Sequence, residues 1–94
     1  MNLREAFDFV ATLRPAWKSK AAWNPPFCYN RDHALRLLGA DRNVKRITKS
    51  TLAAFRGRLI EEKRSPGGVN RIVSMVNTLL RDLADEEIID KAPK

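Results

Sequence analysis

The chain has 94 residues, of which 44% are apolar and 31% charged, and its formal net charge is +7. This length suits one small domain, residues 1–94, and no apolar run reaches the roughly 18 residues of a membrane span or resembles a secretion signal. The chain has one cysteine, Cys28, so it cannot form an internal disulfide, and we expect Cys28 to be a small core residue. One cysteine and one histidine are too few ligands for a structural zinc site. We therefore expect a cytoplasmic chain without metal or cofactor.

The positive charge is concentrated in the body of the chain. Residues 14–81 contain 15 basic and four acidic residues, whereas residues 82–94 contain two basic and five acidic residues. A basic body with an acidic final segment favours a polyanionic partner, because phosphate contacts dominate the affinity of proteins for nucleic acids. Ribosomal and membrane-surface proteins share such a composition, so charge alone does not decide the partner.

The first predicted helix begins with a capping box, since Asn2 and Glu5 have the required spacing. Apolar residues then recur at helical steps until a proline intervenes, which predicts an end near Arg14. A short turn should follow, in which Trp17 and Trp23 pack against the core in preference to stacking on bases.

Two prolines, Pro25 and Pro26, should break any helix that approaches them. The spacing of apolar residues then predicts a helix from Tyr29 to Leu38 that stops at Gly39. Residues 40–46 are predicted to form a polar loop.

The next predicted helix has Thr48 as its N-cap and runs to about Lys63. Its apolar stripe comprises Leu52, Phe55, Leu59 and Ile60. Gly57 lies on the opposite side and is interpreted as a tolerated surface glycine. The acidic pair Glu61-Glu62 is expected to lie on a solvated helix end.

The most informative segment is a long helix predicted from Ser65 to Ala84, with Ser65 as N-cap and Pro66 as the first helical residue. Its apolar residues recur at three- and four-residue steps and predict one buried stripe of Val69, Ile72, Val73, Val76, Leu79, Leu80 and Leu83. The opposite face carries Asn70, Ser74, Asn77 and Arg81, flanked by Arg71 and Thr78. No carboxylate precedes Asp82 in this helix, although an ordinary solvated face mixes both signs. This face is therefore expected to contact something polar and negative.

The final segment predicts a short turn at Asp85-Glu86-Glu87, after which Ile88 and Ile89 fold back on the core. No segment alternates apolar and polar residues as a strand does. We therefore expect an all-α fold, a small bundle of four to five helices.

Ordered landmarks between Leu35 and Pro93 resemble the tyrosine recombinase, or phage integrase, family. The landmarks are Leu38-Gly39, Val44, Ile47-Thr48, Leu52, Phe55, Ser65, Val69-Asn70-Arg71, Leu79-Leu80, Ala84, Ile88 and Pro93. They are similar to the SAM-like N-terminal core-binding domain of these enzymes, and they cover about two thirds of the chain. Two departures are Glu87, where the family usually has glycine, and Gly67-Gly68 in place of a polar turn.

The resemblance implies a helical clamp that grips one side of a recombination site, while a separate domain performs the cleavage and rejoining of DNA. The chain would then be a bacterial or phage-encoded fragment of a longer integrase, with other recombinase subunits as possible partners. The sequence His33-Ala34-Leu35-Arg36 spells a His-x-x-Arg motif of the family, but the only tyrosine, Tyr29, precedes it. We therefore interpret the motif as coincidence, His33 as an edge residue and Arg36 as a surface arginine or phosphate contact, and expect no catalysis.

The hypothesis for function is double-stranded DNA binding through the long helix. Amide and guanidinium groups pair with base edges, so Asn77 and Arg81 are the predicted base-reading residues, with Asn70 and Ser74 on the same face. Arg56, close to the apolar stripe, is expected to lay its stem over the core. The predicted phosphate contacts are Lys45, Arg46, Lys49, Lys63, Arg64 and Arg71.

Two alternatives remain open from the residues alone. A basic helical bundle could instead dock an acidic protein partner through the same face. A transcription regulator of the helix-turn-helix kind is the other, although the glycine-rich turn near Ser65 is long for that motif.

Overall fold

The structure is a computed structural model that describes residues 1–14, residue 17 and residues 25–93, the side chains of 25–29 excepted. The described residues form α1 (Leu3–Leu13), α2 (Pro25–Leu38), a 3-10 turn (Val44–Arg46), α3 (Lys49–Glu61) and α4 (Pro66–Asp85). They contain no strand, apart from a single antiparallel bridge between Asn2 and Asn43. The predicted all-α bundle is confirmed.

The helix boundaries follow the capping residues that the sequence contains. In α1, the side chain of Asn2 accepts from the backbone N–H of Glu5 at 2.8 Å, and the carboxylate of Glu5 accepts from the backbone N–H of Asn2 at 2.9 Å. Thr48 caps α3 through the N–H of Thr51. Ser65 caps α4 by accepting from Gly68 N–H at 3.1 Å. These caps satisfy N–H groups that have no partner within the helix, which fixes where each helix starts.

One predicted boundary is wrong, because α2 begins at Pro25 and not at Tyr29. Proline is tolerated in the first helical turn, where its missing N–H would have no partner anyway. The end at Gly39 is confirmed, since Gly39 has φ +95°, the left-handed conformation that ends many helices. The helix predicted to reach Lys63 ends two residues earlier, at Glu61, and Lys63 itself has φ +60°.

α4 is the central element, because it contacts α1, α2 and α3. Six of the seven residues predicted for its stripe are at most 3% exposed, and the seventh, Val73, is half-buried. The core around them includes Phe7 from α1, Leu38 from α2 and Phe55 from α3. Ile89 folds back onto this core, as predicted, and is 7% exposed. Burial of this stripe is the main contact between the helices.

α3 departs from its predicted stripe at one position. Phe55 and Leu59 are buried and Leu52 is half-buried, but Ile60 is 57% exposed. Ile60 is adjacent to Leu59 in the sequence, and a rotation of about 100° per residue takes it off the buried side of this helix. Gly57 is confirmed as a tolerated surface position, since an added Cβ would meet nothing within 4 Å.

The loop between α2 and α3 is anchored at both ends of its 3-10 turn. Val44 and Ile47 are buried, and the backbone N–H of Val44 donates to the backbone carbonyl of Met1 at 3.1 Å. The carbonyl of Arg42 accepts from Leu3 N–H at 2.9 Å, so this loop supplies a partner for the first turn of α1. The predicted polar loop is therefore a packed part of the bundle.

A tryptophan that follows α1 packs against the core of the bundle. Trp17 is half-buried and its ring centroid lies 6.3 Å from that of Phe7, so its predicted packing is confirmed. Trp23 and the side chain of Cys28 lie outside the described residues.

The turn after α4 predicts an effect on stability. Glu87 has φ +62°, a conformation that costs a residue with a Cβ about 1–2 kcal/mol, whereas glycine's own entropy cost is about 0.5–1 kcal/mol. We expect Glu87→Gly to raise the free energy of unfolding by about 0.5–1 kcal/mol in urea denaturation.

The matched control is Glu86→Gly, which removes the same charge at φ −89° and should lower stability by about 0.5–1 kcal/mol. Equal effects of the two substitutions would contradict the assigned backbone strain.

Candidate nucleic-acid interface

The outer face of α4 is the first component of the candidate interface. Because the opposite stripe is buried, the side chains of Asn70, Ser74, Asn77 and Arg81 are all exposed, as is that of Arg71. Thr78, which flanks them, is half-buried. These side chains offer amide, hydroxyl and guanidinium groups over about three turns of one helix.

A groove between α3 and α4 brings three of the predicted residues together. Its rim has Lys49 and Arg56 on α3, facing Asn77 and Arg81 on α4. Its apolar lining consists of Leu52, Ala53, Val73, Ala92 and Pro93. The groove is open to solvent and has a volume of about 650 Å³. It therefore combines hydrogen-bonding groups and cations with an apolar floor.

A second groove continues the first toward the turn that joins α3 to α4. It is lined by Arg56, Ile60, Arg64, Pro66, Val69 and Asn70. Arg56 borders both grooves, so the two form one surface along the helical hairpin. Arg71 and Ser74 are exposed beside this surface and line neither groove. We name the joined grooves the hairpin surface.

The remaining predicted cations lie at the two ends of the hairpin. Lys45 and Arg46 are exposed on the 3-10 turn, whose buried neighbours Val44 and Ile47 hold it against the core. The side chain of Asn43 accepts from Lys45 N–H at 2.9 Å and fixes the start of this turn. Lys63 is exposed at the opposite end, between α3 and α4.

Most of these cations have no carboxylate partner among the described residues. The unpaired side chains are Lys45, Arg46, Lys49, Arg56, Lys63, Arg71 and Arg81. Residues 42–60 and 63–81 contain ten basic side chains and no acidic one. The positive charge of the hairpin is therefore left available to an external anion.

Arg64 differs from the other predicted phosphate contacts, because its side chain is paired and only 17% exposed. Its Nε donates to Oε1 of Glu62 at 3.1 Å, and Arg36 from α2 donates to the same carboxylate at 2.9 and 3.0 Å. Glu61 and Glu62 are both exposed at the end of α3, as predicted, but Glu62 also accepts hydrogen bonds from two arginines. Arg36 is half exposed, yet it forms this tertiary ion pair and is not an ordinary surface arginine.

His33 completes this cluster at the edge of α2, where the sequence predicted it. Nη2 of Arg36 donates to His33 Nδ1 at 2.8 Å, and Nη2 of Arg64 lies 3.0 Å from His33 Nε2. Partial burial lowers the pKa of His33, and the charges of Arg64 and Arg36 lower it further. The hydrogen bond from Arg36 lowers the pKa of Glu62 to about 2, and the hydrogen bond from Arg64 has a smaller effect in the same direction.

The first carboxylate of α4 is turned away from the hairpin surface. Asp82 is 12% exposed and accepts two hydrogen bonds from Arg14 at the end of α1, one of them from Nη2 at 3.0 Å. Asp82, Asp85 and Glu86 border a separate depression with Leu13. The acidic end of α4 and the basic hairpin therefore occupy different parts of the surface.

Arg56 is the residue whose position sequence reasoning missed. Only its stem is expected, from the sequence, to lie over the core, whereas the structure shows an exposed side chain that borders both grooves. The signal was present in the spacing of Lys49, Ala53, Arg56 and Ile60, which places one side of α3 beside the polar face of α4.

In the part of the chain that the structure describes, no group of three or more His, Cys, Asp or Glu side chains is placed to hold a metal ion. No described helix has the length and apolar character needed to cross a bilayer. Comparison with protein-family models, with curated proteins and with solved structures gives no match for this chain.

The cluster of His33, Arg36, Glu62 and Arg64 predicts a two-stage loss of stability with acid. A lowered histidine pKa stabilises the fold above pH 6.5, and this contribution is lost as pH falls because only the unfolded chain gains the proton. Because the pKa of Glu62 is lowered, this carboxylate stabilises the fold above pH 4.5, its ordinary pKa. That stabilisation is lost as pH falls toward 2.

We expect the melting temperature of His33→Gln to change less than that of the wild type between pH 7 and 5. Glu62→Gln should reduce the change between pH 5 and 2. Melting curves by circular dichroism measure both, and parallel curves for all three proteins would contradict the assignment.

Proposed function

We propose that this chain is the DNA-binding, core-binding domain of a phage-type integrase, a tyrosine recombinase that uses it to grip the core recombination site. The observation that carries the proposal is the hairpin surface, where the exposed cations Lys49, Arg56 and Arg81 form no ion pair with a described carboxylate and no carboxylate lines either groove. The parent enzyme would cleave and rejoin DNA with another domain, and this domain would supply grip and orientation.

The dimensions of the hairpin fit a DNA duplex. α4 has 20 residues and is therefore about 30 Å long, while α3 with 13 residues is about 20 Å long. The major groove of B-DNA is about 12 Å wide and admits one helix. With α4 in the groove, cations at the two ends of the hairpin would lie near the flanking phosphate strands.

The chemistry of the surface fits both parts of DNA recognition. Arginine pairs with guanine and asparagine with adenine through two hydrogen bonds each, which suits Arg81 and Asn77 to reading bases. Lysine offers a point charge and suits phosphate, so we assign Lys45, Lys49 and Lys63 to the backbone. Apolar side chains such as Val73 suit the methyl group of thymine.

The turn after α4 adds support for the family. Glu87 has φ +62°, and this is the position at which the recombinase pattern usually carries glycine. Glycine is favoured in that region of backbone space because it has no Cβ. The glycine that is usual in the pattern would adopt this φ without the steric cost that Glu87 bears.

A protein-binding module is the second candidate, because the hairpin surface has an apolar floor and includes Ile60, which is 57% exposed. An acidic amphipathic helix would match such a groove. Such a helix would bind this chain without DNA being present.

The proposal predicts a salt-dependent affinity for duplex DNA. If the five unpaired phosphate candidates Lys45, Arg46, Lys49, Lys63 and Arg71 each neutralise one phosphate, the slope of log affinity against log salt should be about −4.5. Fluorescence anisotropy with labelled duplexes between about 50 and 200 mM salt measures this slope. No binding at the lower salt, together with binding of an acidic helical peptide, would favour the protein-binding module.

The assigned roles predict different effects of substitution. Arg81→Ala and Asn77→Ala should relax sequence preference, each costing about 1–3 kcal/mol on the preferred duplex and little on others. Lys63→Ala should weaken binding to every duplex alike and reduce the salt slope by about one.

Selection from a random duplex pool supplies the preferred sequence for this comparison. Arg58→Ala is the matched control, since Arg58 is exposed on α3 and lines neither groove. Equal losses from Arg81→Ala and Arg58→Ala on all duplexes would overturn the assignment of Arg81.

A further inference from the structure

The cluster around Glu62 has the geometry of an occupied anion site. Both carboxylate oxygens accept from Arg36, with Oε1 at 3.0 Å from Nη2 and Oε2 at 2.9 Å from Nη1. Oε1 also accepts from Nε of Arg64 at 3.1 Å. This forked arrangement is the one that guanidinium groups use for carboxylates and for phosphates alike. Glu62 therefore occupies donors that would equally suit a phosphate group.

The charge of the cluster favours a stronger anion. Two guanidinium groups face the single negative charge of Glu62, and residues 15–30 of the chain contain no acidic side chain. Asp32, the other nearby carboxylate, pairs with Arg31. Contact between His33 and both arginines adds no negative charge. The cluster keeps an excess of positive charge even with Glu62 in place.

The site is accessible and adjoins the hairpin surface. Arg36 is 48% exposed and Glu62 30% exposed, so the carboxylate has room to leave toward solvent. Exposed ion pairs of this kind make only a modest contribution to stability, so an external anion can compete with Glu62 for the two arginines. Arg64 itself lines the second groove together with Arg56 and Asn70. A phosphate bound between Arg36 and Arg64 would thus continue the proposed DNA contact.

We propose that Glu62 is a built-in competitor for DNA, and that a backbone phosphate of bound duplex takes its place between Arg36 and Arg64. This inference rests on the proposed function, and it adds one phosphate contact and a residue that limits affinity. Glu62 holds the two arginines in place in the free protein and is displaced when the duplex binds.

The test compares Glu62→Gln with Glu61→Gln, its exposed neighbour, which removes the same charge without a described arginine partner. We expect Glu62→Gln to bind duplex about two- to fivefold more tightly than Glu61→Gln, the range that loss of an exposed competing ion pair allows. In Arg36→Ala/Glu62→Gln this gain should disappear. Equal affinities of the two glutamine variants would overturn the proposal.

A second measurement separates this inference from the proposed function. Inorganic phosphate titrated into Glu62→Gln should shift the Nε–Hε resonances of Arg36 and Arg64 in NMR spectra, and should shift them less in the wild type. If the wild type binds duplex but neither the phosphate shifts nor the affinity gain appear, only the displacement of Glu62 is wrong. If phosphate shifts these resonances while duplex fails to bind to any variant, the anion site stands and the DNA function falls.

Discussion

Burial of the apolar stripe of α4 is the interaction on which the rest of this structure depends. The helix α4 contacts all three other described helices, and each of its six most buried side chains contributes about 1.5–3 kcal/mol of burial free energy. A helix held on that side has only one face left for solvent, and this face carries Asn70, Asn77 and Arg81. The orientation of the proposed DNA-binding groups is therefore a consequence of core formation.

Ion pairing then separates the charges of the surface. Asp82 turns toward Arg14 of α1, and Glu62 lies under Arg36 and Arg64. These two carboxylates flank the basic segment 63–81 in sequence, and both are neutralised by arginines that the bundle brings to them. Apart from Arg64, the cations that line the hairpin surface, Lys49, Arg56 and Arg81, have no ion-pair partner among the described residues. Pairing of the two carboxylates reduces their attraction for the neighbouring cations, since exposed charges interact over roughly a Debye length.

The hairpin surface is a property of two helices and not of one. α4 supplies amide and guanidinium groups, whereas α3 supplies Lys49 and Arg56 across the groove. The apolar floor between them requires Leu52 and Val73 to be only half-buried. A surface of this composition suits a partner that presents negative charge at its edges and a less polar centre, as the major groove of DNA does between its phosphate strands.

The sequence by itself determined the helices and the polar face, because capping residues such as Asn2, Thr48 and Ser65 act locally and apolar spacing reports which side of a helix is buried. It did not determine that Ile60 is exposed, that Arg56 borders both grooves, or that Arg36 reaches Glu62, which lies 26 positions further along the chain. Those facts depend on how the helices rotate and pack against one another. Only the tertiary structure decides them, because the free energy of a contact between distant residues depends on the positions of every helix in the bundle, whereas a cap or a stripe depends on a few neighbours along the chain.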